Sequence, residues 1–186
     1  MVSHTEERPE HRTLRGTLSP DSLARSERGW SVATVLARLA LAAGFLSAVA
    51  DRFGWWGPPN TGQVGWGTFA AYIDYTHSLS PYVPDGLTGA AAWAATAAET
   101  VVGLALLAGV LVRWSAWAAT AVLVVFAVSM GLFLGWEAPL SASVFGAAAA
   151  ALLLALSPVD SFPFSVDRLF RRKRTDQGTI QSSQTR

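Results

Sequence analysis

The chain has 186 residues, 51% of them hydrophobic and only 15% charged, with a formal net charge of +1 and no cysteine. That is room for one domain, and it holds several uncharged runs near the ~20 residues that cross ~30 Å of hydrocarbon as helix. The same figures exclude a broad basic surface for nucleic acid, and with no cysteine they exclude disulfides, thiolate metal sites and thiol catalysis. With only His4, His11 and His77 in the chain, paired histidine ligands for an intramembrane haem are excluded and no metal site is expected.

The fold class expected is therefore an all-α integral membrane protein, a four-transmembrane-helix bundle with a short interfacial helix in its first extracytoplasmic loop. Residues 1–29 form a polar arm of mixed charge with no apolar core, expected to be cytoplasmic and either disordered or laid on the membrane surface. Residues 30–157 form the membrane domain, with spans at 30–50, 87–108, 114–134 and 139–156. Residues 158–186 form a basic cytoplasmic tail that carries Arg168, Arg171, Arg172, Lys173 and Arg174 and faces anionic lipid.

The first span, Trp30 to Ala50, has one internal charge, Arg38, and is followed by Asp51 and Arg52. The connection 53–86 is rich in Trp, Tyr, Gly and Pro and too long for a simple turn. Trp66, Phe69, Ile73 and Thr76 recur in it at helical spacing, which predicts a short helix over about 66–77 with its apolar face on the bilayer or the bundle mouth. The second span ends at Gly109, placed as a C-cap, with Arg113 in the turn. Short turns make the later helices antiparallel neighbours. Lys and Arg concentrate in the arm, the Arg113 turn and the tail, so both termini are expected in the cytoplasm. Trp30, Trp114 and Trp117 then mark the inner interface, and Trp55, Trp56 and Trp136 the outer one.

Glu99, near the middle of the second span, is where function is first sought. A lone ionised side chain at that depth costs roughly 2.5–3.5 kcal/mol on insertion scales, so it needs a partner, a proton or a cavity. Counting from Trp30 places Arg38 about 12 Å above the inner interface, and counting back from Ala108 places Glu99 about 13 Å above it. The two are expected to form an intramembrane pair, read either as a structural lock or as the wall of a polar pocket that binds a quinone headgroup or passes a proton. Asp51, Arg52, Asp74 and His77 are expected at the outer end, as a solvated cluster or, alternatively, as the rim of an outward-facing site. Small residues at Ser143, Ala147, Ala151 and Ala155 and at Ala95 and Gly103 are read as helix-packing stripes.

The segments ARLALAAGFLSAVADRFG, AAETVVGLALLAGVLVRWSAW, APLSASVFGAAAAALLLA and FSVDRLF resemble the DoxX family of small bacterial four-helix membrane proteins, related to the DoxD subunit of thiosulfate:quinone oxidoreductase. The resemblance rests most specifically on Arg38, then Glu99, Gly103, Leu106, Gly109 and Arg113, with Asp167 in the trailing motif. The lysine frequent in the family at the outer end of the first helix is replaced here by Asp51-Arg52. The resemblance implies a four-helix bundle in the bacterial plasma membrane linked to membrane redox metabolism. It implies no covalent cofactor. A diffusible quinone and a protein partner for electron input are the cofactor and partner it admits. Three functions follow: a non-catalytic or quinone-binding subunit of a membrane redox assembly, a structural or assembly factor without redox role, and, least favoured for want of internal repeats or broken spans, a small-solute transporter. An enzymatic activity of the chain by itself is not expected.

Overall fold

The structure is a computed structural model that describes residues 27–59, 61, 64–157 and 162; the arm before Glu27, the basic tail and Asp167 lie outside them. Three helices are long and apolar enough to cross a membrane. Helix α1 (Glu27–Arg52), α3 (Asp85–Ala108) and α4 (Val112–Phe133) reach about 39, 36 and 33 Å at helical rise. Between α1 and α3 lies α2 (Phe69–Leu79), whose N-cap Thr68 accepts a hydrogen bond from the Ala71 amide, satisfying one of the free donors of the first turn.

Helix ends are set by local chemistry. Gly109, at φ 69°, takes the left-handed conformation that glycine adopts without steric cost, and the Val110 amide donates to the Ala105 carbonyl at 2.9 Å, a Schellman closure. Leu111, at φ 46°, completes a sharp turn into α4. Past α4 the chain departs from one continuous fourth span over 139–156. It forms α5 (Glu137–Ser141) and α6 (Val144–Leu156), broken at Ala142 and Ser143, where Ser143 has φ 54°. The 13 residues of α6 reach only about 20 Å, short of the ~30 Å hydrocarbon core.

The burial pattern is that of a protein whose outside is oil. On α3, Thr88, Thr96 and Glu99 are buried, while Trp93, Val101, Leu104 and Leu107 are exposed. In water this would be inverted; in a bilayer the apolar side chains face lipid and the polar ones must find partners inside. The bundle consists of two intimate helix pairs, α1 with α3 and α4 with α6. Close approach uses small residues: Ala116 and Ala119 on α4 face Ala151 and Ala155 on α6, all fully buried in the common core. On α3, a Cβ at Gly103 would come within 3.0–3.2 Å of Leu46 and Phe45, so the missing side chain lets α1 lie against α3 and fixes their register.

Helix α2 packs on α3, with lesser contacts to α4 and α1. It fills the mouth of the bundle with Tyr72 and Leu79 buried. Trp66, predicted to open this helix, instead lies in the loop before it.

Candidate functional site

The expected Arg38–Glu99 pair is not formed. Arg38 is buried, but its Nε donates to the Leu106 carbonyl at 3.1 Å and an Nη to Leu107 at 3.5 Å. These carbonyls belong to the last turn of α3, where the regular i+4 donors run out and the negative end of the helix dipole lies. Arg38 is thus a cap supplied in trans. Trp30 is not level with Ala108. Phe45 and Leu46 lie against Gly103, so the level of Glu99, four residues earlier, falls near Val49 and Ala50 on the antiparallel α1. Arg38 is about 17 Å from that level along the axis, beyond the reach of its side chain.

Arg52 takes its place. One Nη reaches both Glu99 oxygens, at 2.8 and 2.6 Å, and the other donates to Thr96 Oγ1 at 2.8 Å. Thr96 in turn donates to the Ala92 carbonyl at 2.8 Å. Arg52 and Glu99 are 1% and 2% exposed. Arg52, expected at the outer end in a solvated cluster or at the rim of an outward-facing site, is instead buried, because α1 ends inside the bundle. A helix that stops there delivers its terminal guanidinium to mid-helix α3. The available signal was the basic residue at the end of the first span.

A cap of aromatic side chains closes the pair off. The Arg52 guanidinium lies 3.7 Å from the centre of the Tyr72 ring and 5.2 Å from that of Trp66, and cation–π attraction strengthens once water is excluded. The neighbouring Asp51, also buried, accepts the Trp66 amide at 2.8 Å and so ties the loop to the end of α1. Gly65 permits this, since a Cβ there would come within 2.9 Å of the Asp51 carboxylate. Among the described residues, three buried polar atoms at this spot lack a hydrogen-bond partner: the second Asp51 oxygen, Arg52 Nε and the Tyr72 hydroxyl. Burial pushes the Tyr72 phenol up from 10.0 to about 12, outweighing the opposing influence of Arg52. Burial also raises Tyr75.

Below this cap lies a cavity of about 390 Å³, within the size range of small-molecule sites. Arg52, Glu99, Trp66 and Tyr75 form its polar end; the rest is lined by apolar or small side chains from α1, α4 and the α5–α6 break, among them Phe45, Phe126, Met130 and Ala142.

The other sequence candidates fall elsewhere. Gly103, Leu106 and Gly109 serve α1–α3 packing, the core and the α3 cap. Arg113 donates to the Ser157 carbonyl at 3.1 Å, joining the start of α4 to the end of α6. Asp74 is exposed, and His77 lies 3.7 Å from Asp85 with both side chains largely in the open, so neither joins Asp51 and Arg52. No group of three or more metal-ligating side chains occurs among the described residues.

No curated protein and no solved structure matches the chain. The DoxX family model matches residues 33–132, more than half of the 186 residues. The match includes Arg38, Arg52 and Glu99 and stops before the broken fourth segment. This membrane protein belongs to the DoxX family.

Proposed function

We propose that the chain binds the headgroup of a diffusible quinone beneath the aromatic cap, as a non-catalytic subunit of a redox assembly in the bacterial plasma membrane, with both termini in the cytoplasm. The observation that carries this reading is the buried Arg52–Glu99 pair at one end of an otherwise apolar cavity of about 390 Å³. Quinone carbonyls are acceptors set on an apolar ring. The polar end offers hydrogen-bond donors in Trp66 and Tyr75 and in the unpaired Arg52 Nε, and apolar walls with a few placed polar groups are what such ligands need. Glu99, the carboxylate at this end, is the residue placed to exchange protons with a bound headgroup.

The test is native mass spectrometry of gently extracted protein, read for quinone and protein adducts, beside an Arg52→Met/Glu99→Leu double variant. The double change removes both charges together and so avoids a lone buried ion. Quinone on the wild type and its loss from a folded double variant are expected. Wild type without quinone, or a double variant that keeps it, overturns the reading. One observation favours a structural or assembly role instead: the pair neutralises itself and is held by Thr96. A client protein retained without quinone would establish that role.

A further inference from the structure

We infer that the cavity is a slot for a single hydrocarbon tail, loaded sideways from the bilayer, so that its ligand is an amphiphile with its polar head at Arg52 and Glu99. The inference rests on the proposed ligand site and adds how the ligand enters and what chemistry lies beyond its head. Three features carry it.

The cavity is long and graded. Its α1 wall runs from Ala40 to Arg52, about 18 Å at helical rise, and its polar groups are gathered at one end. A compact polar solute would leave most of this length as an apolar void, whereas a tail fills it. The cavity is also open along its side. Its α1 wall includes the small residues Ala40, Gly44 and Ala48. Ala40 and Gly44 are exposed, and a Cβ added at Gly44 would meet nothing within 4 Å. These residues are at the seam between the two helix pairs, since α1 packs chiefly on α3 and α4 chiefly on α6. Finally, the end carrying α2 is shut by Trp66 and Tyr75 over the ion pair. Access from the flank therefore runs through lipid.

The dimensions also decide against a helix from another protein or a second copy. A helix is about 10 Å across with its side chains, and a cavity of about 390 Å³ spread along about 18 Å is too narrow to seat one.

The experiment uses the full chain in lipid nanodiscs with two probes. A fatty alcohol carrying a diazirine on its tail reports occupancy of the slot by photolabelling and peptide mapping; a long-tailed benzoquinone and its tail-less parent report binding by tryptophan quenching. Gly44→Leu and, as a second blocking variant, Ala48→Val fill the slot, and Ala43→Leu, one residue away on the exposed face, is the control; thermal melts establish that each is folded. Labelling should concentrate on the peptides holding Leu41, Phe126 and Met130 and fall about tenfold or more in the blocking variants but not in the control, as overpacking a filled site predicts. The long-tailed quinone should lose affinity likewise while the tail-less parent changes little. Labelling spread evenly over the lipid face and indifferent to both blocking variants overturns the slot. Equal binding of both quinones in all variants also overturns it while leaving the quinone reading standing. Slot labelling with no quinone binding refutes the quinone reading and keeps the slot.

Discussion

Helix α1 carries two buried arginines, fourteen residues apart, and they are satisfied in different ways. Arg38 bonds to backbone carbonyls at the end of α3; Arg52 bonds to a carboxylate and a threonine in its middle. The first acceptor is a dipole that exists wherever a helix stops. The second is an ion that could not remain charged at that depth without its partner. The Arg38 bonds tie α1 to the end of α3, and the Arg52 bonds form a polar site in an apolar bundle.

The sharpest way to break this contrast is to truncate each arginine in turn. Arg52→Ala should cost about 3–5 kcal/mol of stability in detergent, because Glu99 is left buried without its counter-charge. Adding Glu99→Leu to Arg52→Met should return most of that stability, since removing both members of a buried pair is close to neutral. A double variant as unstable as the single would mean that Arg52 acts through its stacking on Tyr72 and Trp66.

Gly103→Ala tests the register that brings Arg52 to Glu99. A methyl group set within 3.0–3.2 Å of Leu46 and Phe45 should cost about 1–3 kcal/mol by overpacking. A thermal melt unchanged by the substitution would show that α1 and α3 can slide apart freely. Arg38→Ala removes the bonds to the Leu106 and Leu107 carbonyls and should cost at least about 1–2 kcal/mol, the worth of charge-assisted bonds to helix carbonyls. A loss equal to that of Arg52→Ala in the same melt would erase the distinction between the two residues.

The smallest effect concerns Tyr72. Its hydroxyl is buried without a hydrogen-bond partner, so Tyr72→Phe should change stability by no more than about 0.5 kcal/mol. Because the fold raises its phenol from 10.0 to about 12, the proton is held more tightly folded than unfolded. Its contribution to stability is complete below pH 10 and lost as pH rises toward about 12. Phenolate absorbance should show that the last tyrosine to titrate in the wild type is missing from Tyr72→Phe, while Tyr75 remains raised.

The spans were legible because length and hydropathy are local properties: 30–50, 87–108 and 114–134 fall within a few residues of α1, α3 and α4. Gly109 was legible as a cap because glycine takes the left-handed conformation that closes a helix without Cβ strain. The break at Ala142 and Ser143 was not, since neither is a strong helix breaker and nothing adjacent announces a positive φ at Ser143. The polar site was half legible. Glu99 stood out as the lone carboxylate of an apolar run, but its partner depended on how far α1 slides along α3, which the contact of Gly103 with Phe45 and Leu46 decides.

The sequence by itself determined a membrane protein, the identity of three of its spans and the need of Glu99 for a partner, because hydrophobic length and the cost of a charge in oil depend on residue type alone. Only the tertiary structure decided that Arg52 is that partner, that Arg38 caps a helix, and that a one-ended apolar cavity opens beneath an aromatic lid. Those outcomes depend on the relative height and rotation of packed helices, and small shifts in either exchange one neighbour for another.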